Sequence, residues 1–351
     1  MHPLQVAENT RCMWSVFERT KRVVLGRDLK GPQTPWHLGG EAEANAIGQA
    51  EKQDLRTMDK LHPWMASSAS NPMSLGIAFK GPEGIVLAAD SRVTLNTQMI
   101  AQGPNGPMPM LLPSTFDNAT KLLKAKSQGF VGAITYGAGA IGMLEPRTAH
   151  SFIPEFEAVL PTERLSVKEF ADELSKFFLA RWIAGGMPNP TAPGSDMVFL
   201  VGGYDADSPY GRVFEIFIPS KPAPRETIPA GQFGATWGGQ QEITARLLNG
   251  FDPRLPQMAR DFLQIPTTTA AGQPDPLDVD LRTKLSARIP WQFLSLQDCV
   301  DLAIFLLRAT ITLQKWVIDI RGVGGAVDVA TITRNEPFQY VQQKKIVGEM
   351  R

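Results

Sequence analysis

The sequence predicts an α+β domain in which strands and helices occur in separate runs. From residue 74 onwards, strand-like segments precede two helical stretches, and the same order is repeated before a final strand. Such separate runs favour an α+β layered domain over the alternating order of a parallel α/β sheet. Sheets packed face to face, with helices outside, would account for strands that are apolar on one face and small on the other.

Composition narrows the class of protein. The chain has 351 residues, of which 43% are hydrophobic and 20% charged, as in ordinary globular proteins. Lys plus Arg and Asp plus Glu each number 35, and this zero net charge argues against a nucleic-acid partner. Only two cysteines occur, and neither a signal-peptide core nor a run of about 20 apolar residues is found. We therefore expect a cytoplasmic protein without a membrane partner.

Histidine is scarce, which limits the possible chemistry. The chain has four histidines, three of them before residue 70, so a histidine-based triad or metal site in the remaining sequence would depend on His150 alone. The motifs GxSxG, HExxH and GxxxxGK[ST] do not occur. We expect no metal and no cofactor.

Differences in charge pattern and hydrophobic periodicity along the chain divide it into three parts. Residues 1–73 have mixed charge and weak periodicity, and are expected to be an N-terminal extension or propeptide. The domain is predicted over 74–333, and a C-terminal tail over 334–351. Within the domain, the Gly- and Pro-rich stretches 96–118 and 251–290 are expected to be insertions, the first a long loop and the second a surface excursion.

The first strands form a predicted β-hairpin. Residues 74–80 alternate large apolar with small or polar residues, residues 85–89 are an apolar run, and Gly81-Pro-Glu-Gly84 between them is typical of a turn. Further strands are predicted over 121–125, 130–136, 197–202, 213–218, 233–237 and 327–333.

Helices are predicted over 149–160, 165–182 and 241–248, and from Ser295 to about residue 316. Two of them carry N-terminal capping signals. Ser166 is followed three residues later by Glu169, and Ser295 by Asp298, the spacing at which the two side chains satisfy each other's free backbone N–H groups.

The hairpin carries the most informative motif. Gly-Ile-Val-Leu-Ala-Ala-Asp-Ser-Arg at 84–92 resembles a motif near the start of proteasome β-type subunits, which belong to the N-terminal-nucleophile hydrolases. Those chains begin with a nucleophilic threonine, followed by a short strand, a glycine turn and Ala-Ala-Asp-Ser-Arg. At the same spacing, Ser74 falls on the nucleophile, Asp90 on the motif aspartate, and Arg92 on a supporting residue.

The resemblance extends over about 74–333. Ala119-Thr-Lys-Leu-Leu123 resembles the strand with the family's catalytic lysine, which selects Lys121. Ile134-Thr-Tyr-Gly-Ala-Gly139 resembles a strand-to-helix turn whose glycine N–H forms the oxyanion hole, which selects Gly137. The segments 197–205, 233–248 and 296–333 resemble later parts of the family's domain.

The resemblance implies a four-layer αββα sandwich and hydrolysis of a peptide or amide substrate in a homo-oligomeric ring. A hydroxyl needs a base to become a nucleophile, and the α-amine of an N-terminal Ser74, with a pKa of about 8, would serve. Lys121 would favour the developing alkoxide, Asp90 would hold that lysine, and the Gly137 N–H, at a helix start, would stabilise the oxyanion.

Departures from the family pattern support a second hypothesis. The nucleophile is serine, and Met73 replaces the usual preceding glycine. A supporting serine falls on Gly239, and the family's Asp-x-x-Ser-Gly motif falls on Asp319-Ile-Arg-Gly322, which keeps the supporting aspartate without the serine. These losses favour a non-catalytic ring or scaffold subunit, whereas Asp90, Arg92 and Lys121 favour an enzyme.

A third reading uses Gly137-Ala-Gly139-Ala-Ile-Gly142, a literal GxGxxG. Between a strand and a helix, this spacing is typical of a dinucleotide-binding turn with the pyrophosphate at the helix N-terminus. The preceding strands, however, are predicted to be antiparallel hairpins rather than the start of a βαβ unit. The glycines are then explained by close packing.

Overall fold

The computed structural model describes residues 74–103, 106–143, 145–189, 195–264, 275–317 and 321–348. The predicted extension over 1–73 and the predicted supporting residue Asp319 lie outside the described residues. In the part that is described, the chain is a mixture of α and β structure, as predicted. No helix there is both long and apolar enough to cross a membrane.

The strands, in chain order, are β1 (Leu75–Lys80), β2 (Ile85–Asp90), β3 (Val93–Gly103), β4 (Gly106–Phe116), β5 (Leu122–Leu123), β6 (Val131–Gly137), β7 (Met197–Gly203), β8 (Arg212–Ile218), β9 (Lys221–Glu226), β10 (Gly234–Gly239), β11 (Val327–Ile332) and β12 (Gln339–Gln342). The α-helices are α1 (Ile153–Glu157), α2 (Val167–Ala184), α3 (Glu242–Leu248), α4 (Leu255–Leu263), α5 (Pro276–Leu285) and α6 (Leu296–Gln314).

The strands form two five-stranded antiparallel sheets and one separate ribbon. The first sheet has the order β10-β1-β2-β11-β12, and the second has the order β5-β6-β7-β8-β9. Among the described strands, β3 and β4 pair only with each other. The two sheets contact each other mainly through β1 and β2 of the first and β6 and β7 of the second.

Strand β2 shows how the core is arranged, because both of its faces are buried. Leu87 faces the second sheet, in a cluster with Ile134 and Leu200. Val86, one residue away, belongs to a cluster with Leu306 of α6. Successive side chains of a strand point to opposite faces, so an apolar run such as Ile85–Ala89 is expected where both faces are covered.

Helix α2 covers the second sheet in a similar way. Phe178 of the helix and Phe199 of β7 have ring centroids 4.6 Å apart within a third buried cluster. The predicted capping boxes are present at both long helices: the Ser166 and Ser295 hydroxyls accept hydrogen bonds from the backbone N–H groups of Glu169 and Asp298.

Most predicted elements are confirmed to within a few residues, but the prediction for 96–118 is wrong. Residues 96–118 are not a long loop, because most of them form the β3–β4 ribbon. The prolines of β4 occupy positions 107, 109 and 113, which share one parity, so their missing N–H groups can all fall on the edge away from β3. The predicted excursion over 251–290 contains the helices α4 and α5.

The segment after residue 333, predicted to be a tail, also contributes to the fold. Strand β12 extends the first sheet beside β11. Phe338 is 1% exposed and lies between the two sheets, and its N–H donates a 2.7 Å hydrogen bond to the Gly129 carbonyl. A Cβ at position 132 would lie 2.3 Å from the Phe338 ring, so Gly132 makes room for it.

We predict that Phe338→Ala lowers the free energy of unfolding by roughly 3–5 kcal/mol, because it opens a cavity between the sheets. Urea denaturation would measure the change. The matched control is Phe262→Ala on α4, where the side chain is 85% exposed. This control should change stability by about 0.5 kcal/mol or less. Equal effects of the two variants would contradict the packing of this segment into the domain.

Candidate active site

The structure brings three of the predicted site residues together. Ser74 directly precedes β1, Asp90 ends β2, and Lys121 directly precedes β5 of the second sheet. The Lys121 Nζ lies 2.9 Å from the Ser74 Oγ and 2.6 Å from the Asp90 Oδ1. All three residues are buried, with at most 3% of their surface exposed. The result is a hydroxyl, an amine and a carboxylate in one hydrogen-bonded chain.

The Asp90 carboxylate is held by four donors. Its Oδ1 accepts from Lys121 and from the Leu75 N–H at 3.0 Å. Its Oδ2 accepts from the N–H groups of Arg92 at 3.1 Å and Gly324 at 3.0 Å. An ionised carboxylate can only accept hydrogen bonds, and this arrangement satisfies both oxygens without a proton. Asp90 is therefore a fixed negative charge that orients Lys121 towards Ser74.

The electrostatics of Lys121 reflect two opposing effects. Complete burial lowers the pKa of Lys121 below its ordinary value, because the ammonium loses water, and the neighbouring Asp90 carboxylate acts in the opposite direction. A lysine in this balance can place positive potential beside the Ser74 oxygen or exchange a proton there at lower cost than a solvated lysine.

The side chain of Arg92 supports this cluster indirectly. Its guanidinium forms an ion pair with Asp117, with an Nη2–Oδ2 distance of 2.8 Å, and donates to the Arg321 carbonyl at 3.0 Å. These contacts hold the start of the 321–326 loop, from which Gly324 donates to Asp90. In the structure, the Arg92 side chain could therefore support the site by positioning the loop that contacts Asp90.

Gly137 lies at the same small cleft as Ser74 and Lys121. It ends β6 with a φ of +85°, and a Cβ there would lie 2.1 Å from the Asp196 carbonyl oxygen. Only glycine fits such a position without distortion. The backbone can therefore approach a ligand in the cleft closely.

One expectation for Gly137 is wrong, because it does not lie at a helix start. Residues 138–148 contain no helix in their described part, and the next helical turn is a 3-10 turn at Ala149–Phe152. The chain is instead held by a bridge between Ile141 and Arg147. Strand β6 is antiparallel to both of its neighbours, so the glycines do not form the strand–turn–helix unit that a dinucleotide-binding turn requires.

Position 239 explains one departure from the family pattern. Gly239 has a φ of +92°, and a Cβ there would lie 2.0 Å from the carbonyl oxygen of Ser74. That oxygen accepts a 2.7 Å hydrogen bond from the N–H of Gln240. A serine at position 239 would therefore displace the backbone that carries the Ser74 side chain.

Two contributors to the site were not found from the sequence. Gly324 acts through its backbone N–H, which no side-chain pattern signals. Thr135 lines the cleft, is 8% exposed, and its Oγ1 has no hydrogen-bond partner among the described residues. Because residues two apart in a strand face the same side, its position two residues before Gly137 is the signal that could have identified it.

No three His, Cys, Asp or Glu side chains in the described ranges cluster so that they could hold a metal ion. A scan against protein-family models and a search of curated proteins both find no match to the chain. Function therefore has to be inferred from the site itself.

We predict that Asp90→Asn lowers the free energy of unfolding by roughly 3–5 kcal/mol, because the buried Lys121 loses its counter-charge and must give up its proton to remain buried. The variant should hold Lys121 neutral when folded and protonated when unfolded. The difference in free energy of unfolding between the wild type and this variant should therefore shrink as the pH rises towards 10.5, the ordinary pKa of lysine. Urea denaturation at roughly pH 7 and pH 9 would measure this.

The control for Asp90→Asn is Asp172→Asn, which breaks a partly exposed ion pair with Lys168. That loss should be about 0–1 kcal/mol. A deficit of the same size in both variants would contradict a buried ion pair at Asp90.

We also predict that Gly239→Ser destabilises the protein by about 1–3 kcal/mol, since the left-handed backbone and the Ser74 carbonyl leave no room for a side chain. The control is Gly234→Ser in the same strand, where a Cβ meets no atom within 4 Å. Thermal unfolding would measure the midpoints of the two variants, and Gly239→Ser should have the lower one. Similar midpoints would contradict the steric explanation.

Proposed function

We propose that the chain is an amide or peptide hydrolase of the N-terminal-nucleophile class, with Ser74 as its nucleophile. The observation that carries this proposal is the position of the Lys121 Nζ, within hydrogen-bond distance of both the Ser74 Oγ and the Asp90 carboxylate. A buried lysine that bridges a hydroxyl and a fixed carboxylate is suited to activating that hydroxyl.

The fold supports the same class. Two antiparallel sheets contact each other, α2 packs on the second sheet, and α6 packs on the first. These contacts are those expected of the four-layer αββα sandwich of proteasome subunits. With that class we also propose the family's assembly into a homo-oligomeric ring.

The proposed reaction begins when the Ser74 hydroxyl attacks the carbonyl carbon of an amide. The proton of the hydroxyl passes to the α-amine of Ser74, and the carbonyl oxygen becomes an oxyanion held by the Gly137 N–H. Collapse of this intermediate breaks the C–N bond, and the leaving amine takes a proton from the α-ammonium. Water then hydrolyses the ester on Ser74, which releases the acid and restores the hydroxyl.

In this reaction Lys121 and Asp90 are not consumed. The ammonium of Lys121 stabilises negative charge on the Ser74 oxygen during attack, and Asp90 keeps the ammonium in place. The mechanism requires that the residues before Ser74 be removed, since an amide nitrogen cannot accept the proton.

We predict that a β-lactone labels Ser74 in a chain whose N-terminus is Ser74. Intact mass would establish the N-terminus, and peptide mapping would locate the label. The labelling rate should rise with pH and level off above about 8, because the α-amine must be neutral to act as a base.

The variants Ser74→Ala and Lys121→Met should abolish labelling, while their matched controls should retain it. The controls are Ser127→Ala and Lys126→Met, which replace exposed residues of the same types close by in the chain. Label retained in Ser74→Ala, or a chain that keeps residue 73 and is still labelled at Ser74, would contradict the mechanism.

A non-catalytic ring subunit is the second candidate function. It is favoured by the close contact between Gly239 and the Ser74 carbonyl, which excludes the supporting serine. A folded chain that begins at Ser74 and takes no label would support this second candidate.

A further inference from the structure

A second cavity lies apart from the Ser74 cleft. It has a volume of about 260 Å³ and is bounded by the C-terminal half of α6, the start of β11 and residues 342–344. It shares no lining residue with the cleft that contains Ser74, Lys121 and Gly137. Because a water molecule occupies about 30 Å³, the cavity has room for a small ion together with several waters.

The described residues that line the cavity include two cations without a described partner. Arg308 and Lys315 line it, both are exposed, and neither side chain has an ion-pair or hydrogen-bond partner in the described part of the chain. Lys344 also lines the cavity but is paired with Asp328 and donates to the Ala119 carbonyl. Among the described residues, these two cations are therefore available to bind an anion.

Compensation of the helix dipole does not explain both cations. Lys315 directly follows the last residue of α6, where a positive charge is favourable in any helix. Arg308 lies six residues before the last residue of that helix, beyond the final turn to which the effect is confined. Arg308 is also the residue type best suited to an oxyanion, since its planar guanidinium can donate two parallel hydrogen bonds.

The wall of the cavity is directly connected to Asp90. Gly325 and Ala326 line the cavity. The preceding residue, Gly324, donates its N–H to Asp90. The Ser91 side chain donates to the Ala326 carbonyl at 2.6 Å, so the loop is attached to the strand end that carries Asp90.

We propose that this cavity binds a doubly charged oxyanion of the phosphate type through Arg308 and Lys315, and that binding acts on Asp90 through the 321–326 loop. An anion between α6 and this loop would draw the two together and stabilise the Gly324–Asp90 hydrogen bond. The binding site is independent of the proposed hydrolase function, whereas the effect on Asp90 rests on it.

The test of binding is calorimetric titration of the whole chain with inorganic phosphate at constant ionic strength. We expect saturable binding, weakened about tenfold by Arg308→Gln and by Lys315→Gln. Arg334→Gln, which removes an exposed charge elsewhere, should bind as the wild type does. Absence of saturable binding, or equal affinity in the Arg308 and Arg334 variants, would overturn the site.

The same titration distinguishes two sources of the anion. Tighter binding of a phosphate monoester than of inorganic phosphate would identify an organic phosphate as the ligand, and equal affinity would identify the free ion. Acetate, which has a single charge, should bind more weakly than either. Acetate binding as tight as that of phosphate would contradict a dianion site.

The effect on the active site is measured as the rate at which the β-lactone labels Ser74. Saturating phosphate should raise this rate about fivefold or more in the wild type and in Arg334→Gln, whereas Arg308→Gln should need about ten times more phosphate to reach the same rate. An unchanged rate in a protein that binds phosphate would overturn the coupling. If neither the wild type nor any variant is labelled, the hydrolase proposal fails. The titration alone then still shows whether the cavity binds phosphate.

Discussion

The ion pair between Asp90 and Lys121 is the constraint on which the candidate site depends. Burying two charges is costly, and the cost is recovered only where geometry is good and the remaining hydrogen-bonding capacity is satisfied. Asp90 meets this condition with three backbone N–H donors in addition to the lysine. These fixed backbone partners also hold the Asp90 carboxylate, and with it the Lys121 amine, in one position beside Ser74.

The Asp90-Ser91-Arg92 motif can be understood as a contact surface for one loop. Asp90 accepts from the Gly324 N–H, the Ser91 side chain donates to the Ala326 carbonyl, and Arg92 donates to the Arg321 carbonyl. Three consecutive residues at the end of β2 thus fix a segment more than 200 residues away in the sequence. Among the described hydrogen bonds, Asp90 is the member of this motif that bonds to Lys121, so the motif acts mainly by holding the site residues in position.

Local signals in the sequence were sufficient to predict much of the fold, whereas the site residues Ser74, Asp90 and Lys121 were expected only from the resemblance to a known family. The capped helices at Ser166 and Ser295 and the hairpin before Asp90 were predicted because their determinants lie within a few residues of each other. Strands β4 and β9 were missed, since proline is normally evidence against a strand. In both, the prolines recur at alternate positions, where the missing donors can fall on one edge. The Gly324 N–H could not be predicted, because a backbone group carries no residue identity.

The candidate site is divided between the two sheets. Ser74 and Asp90 lie at the ends of β1 and β2 in the first sheet, while Lys121 directly precedes β5 of the second sheet. Neither sheet alone therefore contains all three residues of the candidate site. In the proposed mechanism, a nascent chain would consequently lack the Lys121 side chain beside Ser74 until the two halves of its core have docked. Activation of the hydroxyl would then require the folded domain as well as removal of the residues before Ser74.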